Sequence, residues 1–253
     1  MGLVTSSVNS RLAQIVGRYG HVVKLKGRGR LKPSLEYSET GIMGDMFELG
    51  SLLLLCMMTE AIFRNLQVDG VFQLCKEEFA KLGLMIDSNV ASDTYTHLVD
   101  MLEKRTNVFL GGKGTASEIV KMTGVRLFHI KSFLGDNVFI SRGVNTPRPR
   151  AGDLEVLLSF SGETKPVIVW CDIFKKFKGI VLAITGAKTS TLAEKSDFHI
   201  ILDEGVQPGQ PRRFYMRAAY VLSPLPVKLV ERLSERGLKL PEYVIDWYHS
   251  VIQ

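Results

Sequence analysis

Beyond residue 92 the chain repeats one pattern: a short, almost wholly apolar run followed by a longer stretch with helical spacing. The apolar runs are Asn107–Leu110, Val138–Ile140, Leu154–Leu158, Ile180–Ile184 and Phe198–Leu202. Helical stretches lie between them at Ser117–Ile130, Thr164–Phe177 and, more briefly, near Thr191–Lys195. Thr94–Arg105 precedes the first run, with Ser92 or Asp93 as its cap, and helices over Phe214–Arg236 and Glu242–Val251 follow the last. Strands that are apolar throughout need cover on both faces, which a parallel sheet gains from the helices between its strands. Right-handed crossovers then predict a doubly wound α/β domain, with a flavodoxin-like five-stranded parallel sheet flanked by helices. Residues 91–253 are expected to form this domain, and residues 1–90 a basic arm and helical extension.

The extension reads differently. Met46–Leu66 has helical length and apolar residues on most faces, and such a helix must be covered on several sides. A second copy of the chain is a natural source of that cover, so a homodimer or homotetramer is expected. Gly70–Leu84 is amphipathic, with Val71, Phe72, Leu74, Cys75, Phe79 and Leu82 set against Lys76, Glu77, Glu78 and Lys81. Asp87–Ser92 is a polar break before the main domain. The apolar run Leu52–Met58 is short of the ~20 residues that span a bilayer, so the expectation is a buried helix and no membrane association.

Charge and cysteine usage narrow the class further. The net charge of +6 is concentrated in the first 35 residues, where Arg11, Arg18, Lys24, Lys26, Arg28, Arg30 and Lys32 occur without an acidic residue. Tyr19 is the one Phe, Trp or Tyr among them, short of the interleaved aromatics that a base-stacking surface requires, which argues against nucleic acid and for a solvated terminus or a basic face on an acidic subunit. Cys56, Cys75 and Cys171 are odd in number and widely spaced, which suits neither a disulfide framework nor a zinc site. Met1–Ser10 lacks the charged start and apolar core of a secretion signal, so the cytoplasm is the expected compartment. His21, His97, His199 and His249 have no companions at metal-ligand spacing, and neither metal nor cofactor is expected.

Chemistry concentrates in Ser159-Phe160-Ser161-Gly162-Glu163-Thr164-Lys165, between an apolar run and a helix. Unpaired amides at a helix start favour an anion, the hydroxyls add donors, and Gly162 lets the main chain approach a ligand. In a flavodoxin-like order the first and third strands are neighbours at the switch point, so the loop Gly112–Ser117 would face the loop Ser159–Thr164. Ser159, Ser161, Gly162 and Thr164, with Gly112, Gly114 and Thr115 opposite, are the candidate phosphate-binding residues. The plain alternative is that Ser159 and Ser161 serve as a helix cap and a turn residue.

The stretch from about Asn107 to Asp203 resembles the sugar isomerase (SIS) domain, and within it the 6-phospho-3-hexuloisomerases most closely. The resemblance rests on Gly112-x-Gly114, then Lys121, Arg126, Leu127 and His129 at ungapped spacing, then Thr146-Pro147 and Gly152-Asp153-Leu154. It continues through Ser159-x-Ser161-Gly162-Glu163-Thr164-Lys165 and Val181-Leu182-Ala183-Ile184-Thr185. It implies a phosphate cradle for a sugar phosphate. The departures are specific: Thr115-Ala116 stands where close relatives have Arg-Ser, and Phe160 where they have a small residue. The catalytic glutamate that relatives place near the start of the penultimate helix has no counterpart in Tyr215–Pro224, which carries Met216, Arg217, Ala218, Ala219 and Tyr220 and no carboxylate.

Interconverting an aldose and a ketose phosphate moves a proton between adjacent carbons through an enediolate, which needs a base, donors for the oxyanion and a phosphate anchor. Glu163 and His129 are the candidate catalytic residues. A glutamate at a helix start is equally explained by the helix dipole, and a helical histidine by structural hydrogen bonding. Three readings follow: a sugar phosphate isomerase, a non-catalytic sensor that keeps the cradle, and an NADP-binding Rossmann-like protein. The last uses Gly112-x-Gly114-x-x-Ser117 as a dinucleotide fingerprint and Arg142 for a 2′-phosphate, but leaves the serine-rich turn unexplained.

Overall fold

A computed structural model describes residues 2–25, 45–141, 146–202, 211–241 and 244. The chain divides into two compact units, Met1–Cys75 with Pro241–Gln253, and Lys76–Leu240.

In the first unit, β1 (Gly2–Thr5), α1 (Arg11–Tyr19) and β2 (His21–Lys24) form a strand–helix–strand motif. The strands pair in parallel from Gly2↔His21 to Thr5↔Lys24, and Ser10 caps α1 by accepting from the Ala13 amide. The expected solvated arm is therefore corrected over these residues. Its apolar positions, Leu3, Val4, Val22 and Val23, are too few to stand out against the charge. Arg11, Arg18 and Lys24 are exposed on the motif, whereas Lys26, Arg28, Arg30 and Lys32 lie outside the described residues.

Helix α2 (Asp45–Phe63) buries Leu49, Leu53, Leu54, Met57 and Ala61 along one side and exposes Leu55, Met58, Ile62 and Phe63 along another. Its Met46–Phe63 portion is long and apolar enough to cross a bilayer, with mean hydropathy 1.7, and one third of it is buried in the chain. That corrects the expectation that no segment reaches such a length, because the helix extends the apolar run on both sides. The expected near-complete burial is not reached within one chain. Helix α3 (Val68–Val90) continues through Asp87, where a polar break was expected; the chain turns at Ala91, and Ser92 caps the next helix.

The second unit carries α4 (Asp93–Glu103), β3 (Val108–Gly112), α5 (Thr115–Phe133), β4 (Val138–Ile140), β5 (Leu154–Leu158) and α6 (Lys165–Lys176). It continues with β6 (Ile180–Thr185), α7 (Thr191–Lys195), β7 (Phe198–Ile201), α8 (Phe214–Leu222) and α9 (Pro224–Glu235). All five strands are parallel in the order β4-β3-β5-β6-β7, the flavodoxin-like arrangement predicted. The helix expected over Phe214–Arg236 is two helices. Proline at 224 cannot donate a helical hydrogen bond, and it stands as the first residue of α9. Glu242–Val251 lies outside the described residues except for Val244.

The strands alternate their side chains between the two helical layers. On one face Phe109, Leu157, Val181 and Ala183 join Val167, Trp170, Cys171 and Phe174 of α6 and Leu192 of α7. On the other, Leu110 meets α5 so closely that a Cβ at Gly124 would stand 3.1 Å from its Cδ1. Lys131, its side chain wholly buried, ties α5 to the end of α4. It donates to the carbonyls of Leu102 and Lys104 at 2.7 and 2.9 Å and pairs with Asp136 at 2.8 Å. Cations suit a helix C-terminus, where carbonyls lack partners.

Candidate functional site

Strands β3 and β5 are hydrogen-bonded neighbours with Gly112 opposite Leu158, so the loops that follow them leave the sheet side by side. This is the switch point, and the expected juxtaposition of the two glycine- and hydroxyl-rich loops is present.

The first loop is shaped by two glycines. A Cβ at Gly112 would stand 2.8 Å from the Ala116 main chain, and Gly114 holds φ +59° as the residue before α5. No side chain caps α5 there. Lys113, between the glycines and exposed, lies over the Trp170 ring at 5.5 Å. Thr115 begins the helix in an exposed position.

In the second loop each hydroxyl is accounted for. Ser159 is buried, and its Oγ shares a 2.9 Å hydrogen bond with Thr164 Oγ1. Ser161 is exposed, and its Oγ accepts from the Glu163 amide at 3.1 Å, which leaves its own proton available. Thr164 occupies the cap position of α6 without capping it, and its hydroxyl is bonded to Ser159. Elsewhere serines at the same position do cap: Ser10, Ser92 and Ser190 each accept from the amide three residues on. Of the two protons on Ser159 and Thr164, one is used between them and one remains to donate outward.

A second set of bonds fixes this loop to the segment before α7. Gly162 holds φ +67°, and a Cβ on it would stand 2.1 Å from Ser190 Oγ. Its carbonyl accepts from the Leu192 amide at 3.1 Å. Both carboxylate oxygens of Glu163 are engaged by Thr191: one accepts from its amide at 2.7 Å, the other from its hydroxyl at 2.8 Å. The Thr191 amide first, and then its hydroxyl, hold the Glu163 carboxyl below the usual glutamate range. A carboxylate stabilised in this way is a weaker base.

His129 is not brought to the loops. It lies on α5 some fourteen residues past Thr115, roughly 21 Å of helix rise from the crevice end. Around the start of α8, where relatives were expected to place a glutamate, the arrangement is different. Arg213 and Arg217 both pair with Glu78 of α3, Arg217 Nε at 2.7 Å. The Glu78 side chain is wholly buried; burial opposes its charge, but the hydrogen bonds and charges of Arg217 and Arg213 outweigh that and lower its pKa. Sequence reasoning placed Glu78 on the polar side of its helix. The signal was present: Leu74, Glu78 and Leu82 share one helical stripe, and Leu74 and Leu82 are both buried. Phe160, singled out in the sequence for its bulk, packs its ring edge-on against Phe214 at 5.3 Å and lies under the Arg212 guanidinium at 3.8 Å; that pairing with Arg212 was not foreseen.

Among the described residues no group of three or more His, Cys, Asp and Glu could hold a metal ion. Arg142, invoked for a dinucleotide phosphate, lies outside them.

Residues 101–213 match the family model of the SIS domain. Over that stretch the chain is similar to SIS domains. A 3-hexulose-6-phosphate isomerase of Bacillus subtilis is 29% identical over 123 residues, covering 49% of this chain and 62% of that protein. The chain thus spans between 40% and 62% of the length of the curated relatives it matches. Solved SIS-fold structures share the architecture. One is a hypothetical protein of Methanococcus jannaschii for which a 3-hexulose-6-phosphate isomerase function was inferred, with TM-score 0.53 and 22% identity over 67% of this chain and 95% of that one. Another is the Vibrio vulnificus NanR protein complexed with ManNAc-6P, with TM-score 0.52 and 18% identity over 65% and 64%. These two likenesses show the fold alone.

Proposed function

We propose that the SIS-like domain binds a sugar phosphate, with the phosphate at Ser159, Ser161, Gly162 and Thr164 and the facing loop of Gly112, Gly114 and Thr115 completing the cradle. One observation carries this reading. Thr164 stands at the cap position of α6 and does not cap it, so the hydroxyl cluster is directed to something other than its own helix. The activity we assign is aldose–ketose isomerisation through an enediolate, supported by the 3-hexulose-6-phosphate isomerase name of the Bacillus subtilis relative. Thermal shift with a panel of sugar phosphates tests binding, since a ligand at 100 times its Kd stabilises by about 2.7 kcal/mol. Ser161→Ala and Thr164→Ala should each weaken binding by roughly ten- to a hundredfold, the size of one hydrogen bond to a charged acceptor. Binding unchanged in both variants would leave the loop as a turn and nothing more.

A second reading, a sensor that binds without turning over, is favoured by the positions of the carboxylates and the histidine. Glu163 is held by Thr191, Glu78 by two arginines, and His129 lies far along α5. Proton NMR of a bound sugar phosphate in D2O separates the two. Enediolate chemistry exchanges the proton at the carbon beside the carbonyl, and a sensor leaves it in place.

A further inference from the structure

The cations around the start of α8 fall into two groups. Arg213 and Arg217 are committed to the buried carboxylate of Glu78. Arg212, one residue earlier, is exposed, and among the described residues no carboxylate pairs with it. Its guanidinium instead stacks 3.8 Å above the Phe160 ring. Phe160 is the residue between the two serines of the hydroxyl-rich loop, and it is held firmly. Its ring packs on fully buried Phe214, and its carbonyl accepts from the Gly186 amide at 2.9 Å. A permanently charged, planar fork held over a fixed ring loses little freedom on binding, and its N–H groups can still donate.

We propose that Arg212 is the anion clamp of the cradle and Phe160 its platform, so that the site selects doubly charged phosphate monoesters over uncharged sugars. This rests on the reading of the serine loop as a phosphate site. It gives the bulky residue at 160 a role: in place of open volume, the loop carries a surface that positions a cation. Arg148 provides an internal control, because it is exposed and stacks on Phe177 in the same way at 5.2 Å. Phe177 follows the far end of α6, about 20 Å of helix rise from Thr164.

The test is calorimetric titration of the full chain with fructose 6-phosphate, ribose 5-phosphate and inorganic phosphate at low and moderate salt. Arg212→Leu keeps much of the apolar contact with the ring and removes the charge. It should weaken binding of whichever sugar phosphate the parent takes by about 10- to 100-fold and flatten the salt dependence. Arg212→Lys should recover part of the loss, and Phe160→Leu with Arg212 intact should weaken binding by a smaller factor. Arg148→Leu should match the parent. If Arg212→Leu binds like the parent while Ser161→Ala does not, the cradle stands and the clamp is overturned. If Arg212→Leu and Arg148→Leu lose affinity equally, the effect is general surface charge and the clamp is again overturned. A parent chain that binds none of the three probes overturns the cradle reading and the clamp with it.

Discussion

Replacing Glu78 by glutamine should destabilise the second unit strongly near neutral pH and hardly at all in acid. The side chain is wholly buried between Arg213 and Arg217, whose side chains are 14% and 15% exposed. Removing one member of a buried ion pair costs about 3–5 kcal/mol, most of it from leaving the partner's charge without compensation. Both arginines retain some contact with water, which places the expected loss near the lower end, about 3 kcal/mol. For a domain of roughly 150–250 residues, 1 kcal/mol moves Tm by about 2–4 °C, so Glu78→Gln should lower Tm by about 6–12 °C at pH 7. The sign of the pH dependence follows from linkage. The folded carboxyl titrates below the unfolded one, whose pKa is about 4.3, so the pair contributes stability above that value and loses it as pH falls through the folded pKa. Differential scanning calorimetry of parent and variant from pH 7 to pH 3 measures the gap directly. A gap under 2 °C at neutral pH, or one that stays constant into acid, would refute the assignment of this carboxylate as the buried counter-ion of α8.

Other expectations are simpler to check. Gly162→Ala should disrupt the serine loop, because the new Cβ would stand 2.1 Å from Ser190 Oγ at a φ of +67°; sugar phosphate affinity should fall more than tenfold while far-UV circular dichroism is retained. Burial raises the Cys171 thiol to about 11, so a thiol reagent at pH 8 should label Cys56 and Cys75 first and reach Cys171 only on unfolding. The exposed apolar side of α2, Leu55, Met58, Ile62 and Phe63, should be covered by a second copy of the chain; sedimentation at micromolar concentration should give at least twice 28.2 kDa, and a monomeric mass would contradict it. Dialysis against a strong chelator should leave sugar phosphate binding unchanged.

Much of the second unit was legible because its strands are buried on both faces. Val138–Ile140 and Leu154–Leu158 fall where the apolar runs end, and the remaining strands shift by one or two residues. Loop positions at the switch point follow from strand order alone. What the sequence could not show is how each polar side chain is committed. The choice of Glu163 between base and loop fastener depends on Thr191, and that contact exists only once α7 is folded against the loop. Glu78 was misplaced for the same reason, because its partners are more than a hundred residues away. The N-terminal motif was missed because four-residue strands carry too little apolar signal to outweigh their charged neighbours.

Phe160 has a consequence beyond its own loop. A Cβ at Gly186 would stand 2.6 Å from Cδ2 of its ring, so a bulky residue at 160 requires an absent side chain at 186. The two positions behave as a one-way ratchet. Trimming Phe160 is open at once and hollows the crevice wall, whereas enlargement at 186 requires the Phe160 ring to move out of the way. A laboratory search for variants that accept a bulkier sugar should therefore pass through position 160 first, and only then find position 186 responsive. Libraries that randomise 186 alone should return glycine.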